Sequence, residues 1–494
     1  MFEKQKNIFE GAYDAGNFRK QGYEIIDTLA DYLSSCMDRD NPCVLSSDAP
    51  GKVLEKWDTD FNDDDTSSFD LVEFITEVVS KSIHIHHPKY IGHQVSAPLP
   101  EAVLADTVSA MLNNSNGIFE LGPVNTAMEK ICIRWMANQI GYGSGAEGFF
   151  TSGGSLGNLT ALLTARQAKT TYDIWNEGLK PSRNLAVMVS EQAHYSVKRA
   201  VQVMGLGEKG AILVPSDKNF KMDIDALKEK YEEAKRNEVE VFAIVASDCS
   251  TASGSYDNID AIADFCEQNN IWLHVDGAHG ASALLSDKYK HLLKGAHRAD
   301  SIIWDSHKMM MMPALITAVI FKNGQRSYET FSQKASYLLS KDNENKWSEL
   351  GLRTMECTKT MMGLKFYTTL KSKGKKFFAS YIDYVYDLTK WFARELENTG
   401  VFQLAVEPEC NIICFRFTGK KGELNEIHLN EIQMQIRNKI AESEEFYIVK
   451  TILGKDLYLR CTIINPLTSK QDLLELIKKI RSYAEITSRS EVMV

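Results

Sequence analysis

From about residue 91 to residue 370, strand-like apolar runs alternate with helix-like stretches. That alternation predicts an α/β domain, a mostly parallel sheet covered by helices. The clearest runs are Gly148-Phe149-Phe150-Thr151 and residues 185–189, 241–246, 271–275 and 301–304. Ahead of them, residues 17–35 carry Phe18, Ile25, Ile26, Leu29, Tyr32 and Leu33 at helical spacing. This predicts an amphipathic helix, and periodicity leaves open whether its apolar face meets its own domain or a second copy of the chain. Residues 58–68, which include Asp63-Asp64-Asp65, read as a solvated loop. Past about Lys371 the pattern changes. A long helix is expected over 377–398, then a strand over 411–417, a helix over 426–441, a strand over 457–464 and a last helix over 469–484. Three parts are therefore expected: a helical, dimer-forming segment over 1–90, a large domain over 91–370 and a small C-terminal α/β domain over 371–494.

Length and charge narrow the picture. At 494 residues the chain is longer than one compact domain usually is. A formal net charge of −10, with no long basic run, disfavours nucleic acid or an anionic membrane as partner. The nine cysteines are scattered without CxxC pairs or His/Cys ligand spacing. They read as thiols in a reducing compartment, and no metal site is expected. The start, MFEKQKNIFEGAYDAGNF, lacks the apolar core of a signal peptide. The most apolar segment, 309–321, is too short to span a bilayer and contains Pro313. A soluble, cytoplasmic protein is expected.

The chemistry lies just beyond the apolar runs. Ser152-Gly153-Gly154-Ser155 follows the first, Ser190-Glu191-Gln192-Ala193-His194 the second and Ser247-Asp248-Cys249-Ser250-Thr251 the third. Asp276-Gly277-Ala278-His279 follows the fourth and Asp305-Ser306-His307-Lys308 the fifth. In an open α/β sheet, ligands bind beyond the carboxyl ends of the strands, so five such clusters imply one shared site. A glycine-rich turn opening a helix offers unpaired N–H groups to a phosphate, with Gly154 allowing close approach and Ser155 adding a hydroxyl. Alone, the same turn is an ordinary strand-to-helix connection. Asp276 closes a buried-looking run and needs a partner, which a protonated pyridine nitrogen would supply; a turn cap is the plainer alternative. Lys308 sits between Ile302-Ile303-Trp304 and Met309-Met310-Met311-Met312-Pro313, where desolvation would lower its pKa towards a nucleophilic amine. His194 could stack on a flat cofactor, or serve only as a hydrogen-bonded structural histidine. Phosphate turn, stacking ring, carboxylate and lysine, in this order, are what pyridoxal 5′-phosphate chemistry requires.

On these residues the sequence resembles the pyridoxal-dependent decarboxylases that act on glutamate, cysteine sulfinate and aromatic amino acids. The matching motifs are His87-Pro88-Lys89-Tyr90, residues 150–158, residues 191–197, residues 272–278 and Asp305-Ser306-His307-Lys308. The resemblance implies a fold of the aspartate-aminotransferase type and a homodimer with active sites at the subunit interface. It implies Lys308 as the cofactor's Schiff-base lysine, Asp276 as partner of the ring nitrogen and His194 as the stacking residue. Ala278 would pack beneath the ring and Thr251 beside it. Gly154 and Ser155 would hold the phosphate, with His307 next to the lysine on that side. Tyr337, in the polar segment 326–346, would be the acid that protonates the α-carbon after carbon dioxide leaves.

Two departures bear on substrate. Met309 and Met310 follow the lysine, as in the glutamate and cysteine-sulfinate branch, where aromatic-substrate members usually have Trp. That branch has an arginine after a Cys-Gly pair, whereas this chain reads Glu356-Cys357-Thr358-Lys359. Lysine supplies the charge without the bidentate fork. His93, Gln94 and Lys359 are the expected substrate contacts, and the lean is to an acidic amino acid. Aromatic or diamino acid decarboxylation, an aldehyde-forming variant and a non-catalytic protein of the same fold are the alternatives.

Overall fold

The computed structural model describes residues 6, 9–39, 43–46, 48–59, 61–62, 69–331, 345–420 and 428–491. Seven strands form the central sheet: β1 (Glu147–Thr151), β2 (Asn184–Ser190), β3 (Ala211–Val214), β4 (Val239–Ser247), β5 (Trp272–Asp276), β6 (Ser301–Asp305) and β7 (Thr317–Phe321). Their order is β1-β7-β6-β5-β4-β2-β3. β7 runs antiparallel to both neighbours, and all other pairings are parallel, so β1 points the same way as β2 to β6. β5, β6 and β7 are buried at every residue, which explains their unbroken apolar character. Successive residues feed two separate cores on the two faces. Phe149, Val187, Ile303 and Val319 join one, and Phe150, Met188, Ile302 and Ile320 the other.

The sequence reading treats 309–321 as one apolar segment, but it holds both a turn and β7. Ser306 N–H donates to Ile316 O over 3.0 Å and Met312 N–H to Ser306 O over 3.3 Å, folding the chain back between β1 and β6. Met309 to Met312 are all buried beneath this turn.

A second sheet, β8 (Phe402–Leu404), β9 (Ile412–Phe417), β10 (Val449–Leu453) and β11 (Asp456–Thr462), has the order β10-β11-β9-β8 and is antiparallel throughout. Helices Leu429–Glu442 and Lys470–Glu491 accompany it. The expected helix over 377–398 is the second half of Met362–Asn398, which is kinked at Gly374 (φ 72°, ψ 167°). Nothing crowds Gly374, so its positive φ alone accounts for the glycine. Ile91 lies in the core of this second sheet, and its N–H donates to Tyr447 O over 2.9 Å.

At the N-terminus the helix Ala15–Met37 buries only Cys36 and leaves Phe18, Tyr23 and Ile26 exposed. Helices Pro50–Trp57 and Leu71–Lys81 follow, inside the segment over 1–90 expected to be helical, on either side of the loop expected over 58–68. Among the described residues, no helix is long and apolar enough to cross a membrane.

Candidate active site

The five parallel strands that carry polar clusters end at one cavity of about 170 Å³. Gly154, Ser155, His194, Thr251, Asp276, Ala278, His307 and Lys308 all line it, as do Asn158, Ser247, Cys249, His279 and Asp305.

On one wall β1 turns into the 16-residue helix Gly154–Lys169. Gly153 starts it with φ 103°, a conformation L side chains rarely adopt. A Cβ on Gly154 would sit 3.2 and 3.3 Å from the Asp305 carboxylate oxygens. The helix N-terminus thus faces the cavity with unpaired N–H groups and the positive end of its dipole.

On the opposite side Asp276 ends β5. Its Oδ2 accepts from Asn158 Nδ2 over 2.9 Å and its Oδ1 from Ala278 N–H over 3.3 Å. His194 caps the helix Tyr195–Val203. Its Nδ1 accepts from Ser196 N–H over 3.3 Å and lies 2.8 Å from Ser196 Oγ. Burial lowers the pKa of this imidazole; Asp276 opposes the shift and Lys308 adds to it.

Lys308 departs from expectation in one respect. Burial does pull its pKa down, but Asp305 and Asp276 outweigh burial and hold the ammonium above its usual range. The Nζ lies 3.0 Å from Asp305 Oδ2, while Asp305 Oδ1 accepts from Thr317 Oγ1 over 2.6 Å. The sequence marks the desolvation of Lys308, whereas the anions that overcome it come together only in the fold.

The expected substrate contacts lie elsewhere. Lys359 is sealed off, with Nζ 2.8 Å from Glu129 Oε1 and a side chain that is 0% exposed. Its charge is countered there by Glu129, away from the cavity. His93 and Gln94 do not line the cavity, although Ser96, two residues on, donates to His307 O over 3.3 Å. Tyr337 lies outside the described residues. Among these residues, no group of three or more His, Cys, Asp and Glu is placed to hold a metal.

Several participants escape the sequence reading. Asp305 and His279 appear there only as members of a motif, and Arg460 only as a position in a strand. Arg460 is buried on β11, and its Nη1 donates to Thr251 O over 2.5 Å. Arg460 does not itself line the cavity; its Nε has no partner, and among the described residues the groups acting on its charge are the thiols of Cys414, Cys249, Cys461 and Cys410 rather than a carboxylate. Ser247 Oγ and His279 Nδ1 are also buried without partners.

This donor set suits pyridoxal 5′-phosphate. A helix N-terminus would meet the phosphate, a carboxylate the ring nitrogen, an imidazole the ring face and a lysine the aldehyde, and buried polar atoms beside them have no partner of their own. Comparison with known proteins agrees. The chain is 28% identical over 483 residues to the aromatic-L-amino-acid decarboxylase of Bacillus atrophaeus, covering 96% of this chain and 97% of that one. It is 29% identical over 440 residues to the acidic amino acid decarboxylase GADL1 of Homo sapiens, covering 87% and 84%. The crystal structure of mouse CSAD in apo form superposes with a TM-score of 0.88 at 23% identity, over 95% of this chain and 99% of that one, and so shares the fold. The model of the pyridoxal-dependent decarboxylase conserved domain matches residues 50–418, and with that match the chain belongs to this family of carboxy-lyases, which use pyridoxal 5′-phosphate to decarboxylate amino acids.

Proposed function

We propose that the protein converts a small acidic amino acid, in the class of glutamate, aspartate or cysteine sulfinate, to its amine and carbon dioxide. Bound pyridoxal phosphate supplies an electron-accepting ring. Lys308 anchors it, and Asp305 beside the lysine takes up the ammonium charge. Asp276, held by Asn158 and the Ala278 N–H, would keep the ring nitrogen protonated. Ala278 and His194 would hold the ring, with Thr251 beside it, and Gly154, Ser155 and His307 would hold the phosphate. Tyr337 is the expected acid that delivers a proton to the α-carbon, which makes an amine rather than an aldehyde the product.

The observation that carries the substrate class is Arg460. A buried guanidinium that no carboxylate neutralises is costly, and a substrate anion would relieve that cost. In this reading Arg460, joined to the cavity wall through Thr251, takes the anion-gripping role in place of Lys359, with His93 within reach of its charge. The 29% identity to an acidic amino acid decarboxylase points the same way. An aromatic substrate is the second reading. Tyr90 and Tyr447 stack at 5.3 Å and 12° beside His93, within the field of Arg460, and the Bacillus atrophaeus relative is named for aromatic substrates.

The test is carbon dioxide release from purified, cofactor-loaded protein given acidic, aromatic and diamino acids in turn. Preference for an acidic substrate, with KM raised at least tenfold in Arg460→Gln, supports the reading. Preference for an aromatic or diamino acid, or an unchanged KM, overturns it. A homodimer is part of the proposal. Apolar side chains on Ala15–Met37 and on Pro100–Leu112, among them Phe18, Tyr23, Leu104 and Met111, are exposed in the single chain. Sedimentation at twice the chain mass is the expected result.

A further inference from the structure

A chain of hydrogen bonds runs beneath the candidate site from β5 to His194. Trp272 Nε1 donates to Ser301 Oγ over 2.9 Å. His274 Nδ1 lies 2.9 Å from the same oxygen, and its Nε2 lies 2.9 Å from Asn158 Oδ1. Asn158 Nδ2 lies 2.9 Å from Asp276 Oδ2 and 3.0 Å from Ser196 Oγ, which is 2.8 Å from His194 Nδ1. Asn158, Ser196, His274 and Ser301 are all buried, so water does not compete for these bonds.

The sense of each bond follows from what each group can donate. A carboxylate only accepts, so the Asn158 amide nitrogen must face Asp276, and its carbonyl oxygen must face His274. His274 Nε2 therefore carries a proton. Burial pushes His274 down to about 4, so near neutral pH it has only that one ring proton. Its Nδ1 is bare and accepts from the Ser301 hydroxyl, which in turn accepts from Trp272. At the other end, the second Asn158 N–H donates to Ser196 Oγ, leaving the Ser196 hydroxyl hydrogen for His194 Nδ1. The Ser196 backbone N–H aims at the same nitrogen. With two donors on it, Nδ1 is bare, and the ring proton of His194 sits on Nε2.

We infer that Asn158 is a positioning residue that uses one amide to orient the Asp276 carboxylate and to fix the proton of His194 on Nε2. Its relevance to catalysis rests on the proposed cofactor roles of Asp276 and His194, whereas the proton assignment does not. Asn158→Ala removes both donations, leaving Asp276 held only by the Ala278 N–H and the Ser196 hydroxyl free to turn away from His194, so that only the 3.3 Å bond from the Ser196 N–H still favours a bare Nδ1. Asn158→Asp keeps the acceptor for His274 and sets a second carboxylate against Asp276. One of the two must then take a proton, so function should recover as pH falls.

The experiment has two readouts. In cofactor-free protein labelled with 15N-histidine, the His194 resonances, assigned by their loss in His194→Gln, should report a bare Nδ1 and a protonated Nε2. Asn158→Ala should lower the share of the Nε2–H form, with the Ser196 N–H alone opposing a proton on Nδ1. In the loaded enzyme kcat should fall about 10- to 100-fold, the scale seen for outer-shell partners, with KM nearly unchanged. Asn158→Asp should shift the pH profile towards acid. Asp276, Lys308, Asp305 and Arg199 also face His194, so the profile is read as a difference from the parent. A parent His194 protonated on Nδ1 overturns the inference even if no Asn158 variant folds. An Asn158→Ala protein with the parental tautomer and pH profile also overturns it. A protein that decarboxylates nothing, yet shows the Nε2–H pattern and loses it in Asn158→Ala, would sink the functional proposal while leaving this inference standing.

Discussion

Lys308 and Lys359 each lie against a carboxylate inside the protein, 3.0 Å from Asp305 and 2.8 Å from Glu129. Their surroundings differ. Glu129 Oε1 also accepts from Phe150 N–H and its Oε2 from Asn116 Nδ2, both over 2.9 Å, while neither side chain of the pair is more than 1% exposed. Both carboxylate oxygens are thus engaged, and the pair, with the Phe150 N–H, fastens the helix Pro123–Ile140 and β1 to the segment ahead of the long helix. The Lys308 side chain is 21% exposed, on a cavity wall, with its proton held by one carboxylate and open space on its other side. The comparison teaches that a buried lysine is available for chemistry when its counter-charge leaves one side open. Both lysines are paired with a carboxylate, so the pairing alone does not decide this.

Four outcomes would break or sharpen the contrast, and the largest effect is expected at Lys308. Lys308→Ala should abolish turnover and the visible absorbance of bound cofactor, with the far-ultraviolet circular dichroism unchanged. Retained covalent cofactor, traced to another lysine by borohydride reduction and peptide mapping, would break the contrast outright. Lys359→Met should do the reverse. It strands Glu129 and should cost about 3–5 kcal/mol of stability by urea denaturation, with the substrate KM unchanged. A stable variant with a sharply raised KM would return Lys359 to the site. Third, Glu129→Gln combined with Lys359→Met removes both charges and should recover most of that loss, since paired removal is far milder than leaving one charge alone.

The smallest effect concerns a carboxyl group with no cation at all. Asp248 is fully buried, neither of its side-chain oxygens has a partner, and burial first, then Asp257 and Asp276, push its pKa well up. The folded state therefore holds a proton that the unfolded chain releases above the ordinary carboxylate range. Stability attributable to this group is present in acid and is lost as pH rises. Asp248→Asn should match the parent near pH 4 and exceed it progressively towards pH 8, by about 1.4 kcal/mol for each unit by which the folded pKa lies above the unfolded one. A pH-independent difference in urea midpoints would show that the carboxyl group is ionised or solvated after all.

The contrast also explains what was legible in the sequence. Gly154, His194, Asp276 and Lys308 each follow an apolar run directly, and a parallel sheet brings such ends together whatever the details of the helices. Lys359 carried no comparable marker. Its partner Glu129 is 230 positions away, and nothing local distinguishes a sealed lysine from one facing a ligand. Arg460 stayed hidden for the same reason, since it reaches Thr251 from the second sheet across 209 positions. β7 was lost inside an apolar run because buried methionines, rather than polar turn residues, line the bend before it. β8 and β10 were missed because they are short and partly exposed, with burial that varies from residue to residue.

The bend between β6 and β7 also limits how this chain can vary. Its ends are tied to each other through Ser306 and Ile316, and its middle is tied back to Ser306 through Met312. The arc is thus a closed ring with a set number of members. Gaining or losing one residue would break one of these ties. Between Asp305 and Lys308 it would also destroy the i, i+3 spacing that brings their side chains to 3.0 Å. Exchange of Met for Leu beneath the ring is tolerable by comparison, being close to volume-conserving. Side chains in this stretch can drift, whereas its length is held constant by the ring itself.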